Sequence, residues 1–344
     1  MAPKLRLMRD CSIAFCLVWL TLFYYVVMHP HSTGIQAPGI NMHRIAEVSM
    51  LYGDTNMMYE RALFTHERHA KIWGHPMHTL RQDISAGVWN KPTYLSSLVI
   101  AELAKPAGRR MEWLMWVDSD IIILNDEIPV EIFLPPSDMK DIHLVASRDQ
   151  NGLDSGVMFL HVHPWTVSLL TEIMAYPLYL PGIDLGQSAD PEGMGRVLNK
   201  TTGGPSGKGY TDGVVYLPKP WINAYQRDMV YEGNKGDLLV HFPELEKRQW
   251  QYMAKWLDAT ENMPHEWDVS LQETGYLDRT TIYWSLLRRA RNTVESLEKK
   301  MQSGGSLPGR PMEKIANFKK VLRENSDDME LIQTQLNALD ALFG

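Results

Sequence analysis

Asp118 and Asp120 are the residues with the clearest chemical potential. Separated by Ser119, they end one apolar run, Trp113–Val117, and precede another, residues 121–124. Side chains at i and i+2 of a strand project from one face, so this spacing brings two carboxylates together at a strand end. Close carboxylates repel unless a hard cation lies between them, and oxygen ligands suit Mn²⁺ or Mg²⁺, which also hold diphosphates. A D-x-D in a solvated turn needs no ion, but in WLMWVDSDIIIL the acids interrupt a buried run, which favours the metal. His241 ends a second apolar run, DLLVHFP, where the same ion is within reach, although a lone histidine there is more often structural. Residues 151–156 (NGLDSG) form a turn sequence ahead of a strand; Asn151 and the glycines either serve turn geometry or let a sugar approach the backbone. Asp190 lies in a polar loop before a helix, where capping is its ordinary work.

Three patterns are excluded. His66-Glu67-Arg68-His69 is not the zinc protease motif, which needs H-E-x-x-H. GGPSGKGYT, residues 203–211, lacks the spacing of a phosphate-binding P-loop. His161 and His163 share a strand face but have no carboxylate close in sequence.

The elements that must position these residues follow from periodicity. Strands are expected over residues 46–52, 77–84, 113–117, 121–124, 143–147, 156–162, 213–217 and 237–242, and Gly53-Asp54 turns the chain after the first. Helices are expected over 59–73, from Lys91-Pro92 to 103, from Pro164 to 176 and over 248–257, the prolines sitting in first turns where their missing N–H costs nothing. Alternating strands and helices predict an α/β fold with a mainly parallel sheet, whose ligand cleft lies at the strands' carboxyl ends. Residues 282–301 and 312–342 are charged and helix-favouring, separated by SGGSLPG; Ile315, Phe318, Leu322, Ile332, Leu336 and Leu339 recur at helical spacing. They read as a helical pair whose apolar stripe packs on the main domain or forms an oligomer seam.

Residues 11–28 carry no charge, and at ~1.5 Å per residue such a stretch spans roughly 27 Å, enough for a thin bilayer. Lys4, Arg6 and Arg9 precede it, so the positive-inside bias leaves residues 1–10 in the cytosol and the rest lumenal. The segment is long, aromatic and without an A-x-A-like site, which favours an uncleaved anchor over a signal peptide, and its shortness suits Golgi or endoplasmic reticulum membranes. Residues 29–43 read as a stem, 44–265 as a catalytic domain and 266–344 as a helical extension. Asn199-Lys200-Thr201 is a glycosylation sequon that a lumenal domain would expose. The chain has 344 residues, 44% hydrophobic and 22% charged, with a net charge of -7, a globular balance with no basic face for nucleic acid. Its two cysteines, Cys11 and Cys16, both lie in the anchor segment, which excludes a disulfide scaffold beyond it.

The blocks MLYGD (50–54), YERALFTHERHA (59–70), WNKP (89–92), EWLMWVDSDIIILN (112–125), FLPP (133–136), DQNGLDSGVMFLHVHPW (149–165) and HFP (241–243) resemble glycosyltransferase family 34, most of all its fungal galactosyl- and mannosyltransferases. The resemblance implies a GT-A fold, a type II Golgi membrane protein, a UDP- or GDP-hexose donor, a glycan acceptor, Mn²⁺ (Mg²⁺ as the alternative ion) and retention of anomeric configuration. It makes Asp118, Asp120 and His241 the metal ligands and Asp190 a catalytic aspartate that stabilises the oxocarbenium-like centre or orients the acceptor, and it sets Gly53, Lys91, Ser119, Asn151, Gly152 and Asp154 against donor and acceptor. The chain departs from the family where D-Q-x-A becomes Asp190-Pro191-Glu192-Gly193 and where N-G-x-N ends in Asp154. The loss of the glutamine at position 191 motivates an alternative: a weakly active or inactive lumenal protein that binds a partner transferase through its C-terminal helices.

Overall fold

Strand β1 (Ile45–Met50) sends Ala46 and Val48 into the main core and turns Glu47 and Ser49, both buried, to its other face. Helix α1 (Met57–Trp73) lies on that other face and reaches Glu47 through His69. Asn56 starts the helix by accepting the Met58 N–H at 2.9 Å, and Gly74 ends it at φ 73°, a left-handed conformation that glycine adopts without a Cβ clash. In this computed structural model the described residues are 43–53, 56–179, 189–200, 202–243, 248–304 and 309–343. The expected anchor, 11–28, lies outside them, and among them no helix is long and apolar enough to cross a membrane.

The fold is mixed α/β. Strands β2 (Met77–Leu80), β1, β3 (Trp113–Val117), β6 (Gly152–His161), β5 (Leu144–Asp149) and β7 (Val214–Tyr216) form one sheet in that order. Three of its five pairings are parallel; β6 is antiparallel to both of its neighbours. β4 (Ile121–Ile123) and β8 (Leu239–His241) form a separate antiparallel pair. On one face Leu95 and Val99 of α2 (Asn90–Leu103), Leu169 and Ile173 of α3 (Pro164–Tyr179) and Met194 of α4 (Ala189–Leu198) pack on Leu114, Trp116 and Met158. Against the β4–β8 pair, Ala62 of α1 and Met253 and Leu257 of α6 (Gln249–Asn262) pack on Ile122 and Val240; α5 (Lys219–Ile222) lies between β7 and β8 in the chain. Each large apolar side chain removed from water here contributes roughly 2 kcal/mol.

The structure departs from the periodicity in three places. β2 stops at Leu80, because the segment after it is drawn into a loop around Asn90, whose Oδ1 accepts the Ile84 and Ser85 N–H groups. β6 begins at Gly152 instead of after the NGLDSG turn, since a register shift at Ala146/Ser147 lets the polar residues join the ladder and leaves only Gln150 and Asn151 as the turn. The stretch 312–342 is two helices. After α7 (Pro264–Trp267), α8 (Leu271–Thr274) and α9 (Tyr276–Gln302), α10 (Pro311–Glu324) and α11 (Met329–Phe343) are separated by a break at which Asp328 Oδ1 accepts the Leu331 N–H at 2.8 Å.

That break docks on the sheet edge. Ser326, wholly buried, accepts the β7 Tyr216 N–H at 2.7 Å and donates to the Tyr216 carbonyl at 3.2 Å, as a neighbouring strand would. Tyr283 of α9 donates to the same carbonyl at 2.8 Å, and Arg148 of β5 pairs with Asp327 at 2.8 Å. Ala290, Val294, Ile315, Phe318, Leu336 and Leu339 form the core among α9, α10 and α11.

Candidate metal centre

Asp118 follows β3 and Asp120 precedes β4, so the turn between two buried strands carries the pair. The Asp118 N–H donates to the Gly156 carbonyl at 2.9 Å and the Asp120 carbonyl accepts the Phe242 N–H at 3.2 Å, which fixes both ends of that turn. Pairing of Ile121 with His241 in the β4–β8 ladder brings the histidine alongside, and ligand atoms of Asp118, Asp120 and His241 all lie within 4.8 Å of one another. His241 Nε2 is 3.4 Å from Asp120 Oδ1.

The imidazole is oriented from behind. Asn223, itself buried, faces His241 Nδ1 through its Oδ1 at 2.8 Å and donates from Nδ2 to Ser147 Oγ at 3.0 Å. An amide oxygen only accepts, so Nδ1 carries the proton and Nε2 keeps its lone pair toward the carboxylates, the tautomer a metal ligand requires. Tyr225 abuts the ring edge-on with centroids 5.2 Å apart. Gly156 has a steric reason: a Cβ there would lie 2.6 Å from His241 Cε1.

Burial pushes the Asp118 carboxyl up to about 6 despite Lys91, and the like charge of Asp120 adds to the rise; at His241 the opposite happens, the neighbouring carboxylates outweighing burial and lifting the imidazole above its ordinary value. The side chains remain reachable from solvent, 31% exposed at Asp118 and 24% at Asp120. Two half-buried carboxylates and one buried imidazole are a donor set that a divalent cation fits.

Lys91, at the start of α2, is buried with Nζ 2.7 Å from the Ser155 carbonyl, 3.0 Å from Ser155 Oγ and 3.3 Å from Asp118 Oδ1, and it lies over the Trp116 ring. Trp116 donates from Nε1 to the same Asp118 oxygen at 2.6 Å. Gln249 of α6 donates to Asp120 Oδ2 at 3.3 Å, and Tyr59 is pushed up to about 12 by burial and by the charge of Asp120. Tyr59 and Trp250 meet edge to face, with centroids 4.7 Å apart.

The other residues expected at the site divide. Asp154 is buried; Oδ1 accepts the Gly156 N–H at 2.9 Å and Oδ2 accepts a short bond from Tyr225. Asn151 in the β5–β6 turn and Gly152 at the start of β6 are exposed, Gly152 at φ 116°, and Asp149 caps the Asn151 N–H. Ser119 lies in the Asp118–Asp120 turn, and Gly53 is exposed at φ 81° after β1. Asp190 falls in the first turn of α4, but its side chain lies outside the described residues, and Pro191 occupies a helix start where proline is tolerated. Asn199 is exposed at the end of α4, while Thr201 of its sequon lies outside the description.

Trp116, Asn223, Tyr225 and Gln249 escape the sequence reading. Trp116 had a signal, because it is two residues before Asp118 on one strand face. Gly156 had another, a glycine inside a buried strand, which marks close approach. Asn223 and Gln249 had none.

No family model matches the chain. It is 26% identical to an alpha-1,2-galactosyltransferase of Schizosaccharomyces pombe, in an alignment that covers 38% of this chain and 41% of that protein, so the match spans about two fifths of the relative's length. Among solved structures it is similar to a glycosyltransferase involved in the glycosylation of the major capsid of PBCV-1, at 14% identity and TM-score 0.46, covering 61% of this chain and 98% of that one. It is also similar to the galactosyltransferase LgtC in complex with donor and acceptor sugar analogs, at 11% identity and TM-score 0.38, covering 67% and 100%.

Proposed function

We propose that the chain is a glycosyltransferase that moves a hexose from a nucleotide diphosphate to a glycan acceptor, with Mn²⁺ at Asp118, Asp120 and His241. The observation that carries this reading is the convergence of those three side chains at the carboxyl end of β3 with the His241 tautomer set by Asn223. The name of the galactosyltransferase relative supports the reaction class, and the resemblance in the blocks around Asp118, Asn151 and His241 supports retention of configuration, a GT-A architecture and residence in the Golgi membrane through residues 11–28.

When bound, the ion supplies the charge that offsets the developing negative charge of the leaving diphosphate. The protein's own part is preorganisation. Trp116 and Lys91 hold Asp118 Oδ1, Gln249 holds Asp120 Oδ2 and Asn223 holds His241, so the three ligands are aimed before the donor arrives. Tyr59 near Asp120, with Trp250 edge-on against it, offers an aromatic wall to the donor. Asn151 in the turn and Gly152 at the start of β6, both exposed, meet sugar hydroxyls, and Asp154 does so with the lone pairs that Gly156 and Tyr225 leave over. Asp190 stabilises the oxocarbenium-like centre or orients the acceptor.

The test is a panel of UDP- and GDP-hexoses assayed for metal-dependent release of nucleotide diphosphate by the full chain. One donor turning over with Mn²⁺ and not with chelator supports the reading. No turnover with any donor, in a folded protein that binds Mn²⁺, would favour the inactive-partner alternative.

A further inference from the structure

A second cluster lies away from the Asp118 turn, between α1 and β1. Glu47 on β1, His69 on α1 and His75 just after it are all buried, and their ligand atoms lie within 4.8 Å of one another. His69 comes from the excluded HERH segment, but its companion is not His66, which points to the Ile121 carbonyl at 2.7 Å.

The hydrogen-bond directions are informative. His69 Nε2 faces the Ile128 carbonyl at 2.9 Å, and a carbonyl only accepts, so that nitrogen carries a proton. His75 Nε2 faces Glu131 Oε1 at 2.9 Å and carries a proton for the same reason. Both Nδ1 atoms then aim at a single acceptor, Glu47 Oε1, each at 2.9 Å. Two lone pairs facing a carboxylate repel, so positive charge must occupy the space between them. Either both rings carry a second proton, or one cation binds both nitrogens and the oxygen. A histidine whose far N–H is tied to a backbone carbonyl or a carboxylate is the arrangement that orients metal-bound imidazoles. Glu131 Oε2 is also buried without a hydrogen-bond partner, a cost that a nearby dication offsets.

We infer that Glu47, His69 and His75 bind a structural Zn²⁺ that staples α1 to β1, with Ile128 and Glu131 orienting the imidazoles. Nitrogen-rich donor sets select zinc over the harder Mn²⁺. Tetrahedral zinc with bonds of about 2.0–2.1 Å separates its ligand atoms by roughly 3.3 Å, so each Nδ1, now 2.9 Å from Glu47 Oε1, moves a few tenths of an ångström away from that oxygen. Charge balances: two Nδ1 protons leave as one dication enters.

The test is the zinc content of the full chain, purified in detergent and dialysed against a weak chelator, in the wild type, in the Asp118→Asn/Asp120→Asn double variant and in His75→Gln. One zinc per chain in the first two and none in the third is expected, with His75→Cys retaining the ion because a thiolate also binds zinc. Should His75→Gln fail to fold, the zinc X-ray absorption spectrum of the wild type decides, with two imidazole ligands expected. A wild type without zinc, zinc lost with the double variant, or a spectrum without imidazole would overturn the assignment; in each case two protons fill the space.

Discussion

At the scale of single residues, a few atoms aim the ligands. Asn223→Ala removes the acceptor for His241 Nδ1 and frees the ring to turn, which should weaken Mn²⁺ binding by about 10- to 100-fold with the fold retained, as read by calorimetric titration and circular dichroism. Gly156→Ala should act at the same place by pushing on His241 Cε1, so metal affinity should fall more than stability. Equal loss of both would mean that Gly156 serves the sheet and not the site. Asp118, Asp120 and His241 are legible in the sequence because each interrupts or ends an apolar run. Asn223 is not: nothing in local spacing relates it to residue 241, and its role arises only when the His241 N–H bonds the Ala224 carbonyl at 2.8 Å.

At the scale of elements, strands were the easier part to read, since runs such as Trp113–Val117 are buried on both faces. The turn-like start of β6, Gly152 to Asp154, was hidden by its composition, because ladder pairing with β5 overrides turn propensity. The same limit hid the break between α10 and α11, where Ser326 substitutes for a strand at the sheet edge. Ser326→Ala leaves the Tyr216 N–H without its partner and should cost about 1–3 kcal/mol in urea unfolding. A second prediction concerns the junction of β5, β6 and α3, where His143 stacks on His163 with centroids 4.2 Å apart and His161 stacks on Trp113 at 4.8 Å. Burial lowers His143 to about 3 and His161 to about 4, with the other histidines adding to the shift. The unfolded chain therefore takes up protons first: stability is full above pH ~6.5 and falls toward pH ~4, by about 1.4 kcal/mol per pH unit for each histidine. Glu112 opposes the shift at His161 and His43 reinforces it, so His161→Phe should flatten the acid limb by about one proton. An unchanged slope would show that the stack does not titrate on unfolding.

At the scale of the whole molecule, residues 41–344 form one compact unit, although the composition of the C-terminal part differs from that of the rest. Helical spacing made the apolar stripe of the tail legible, but what it covers depends on long-range packing. Deleting residues 311–344 should expose Ala290, Val294 and Leu297, strip Ser326 from the sheet edge and abolish soluble monomer on size-exclusion chromatography. A soluble, active truncation would show that the helices are an accessory. In the proposed mechanism the Asp118 turn and His241 hold the ion on which sugar transfer depends. That dependence is tested most directly by donor turnover in Asp118→Asn, Asp120→Asn and wild-type protein as Mn²⁺ is titrated. The account predicts a saturable Mn²⁺ requirement in the wild type and a loss of about 100-fold or more in either variant, equivalent to ~2.7 kcal/mol of transition-state stabilisation; variants that turn over at the wild-type rate would contradict it.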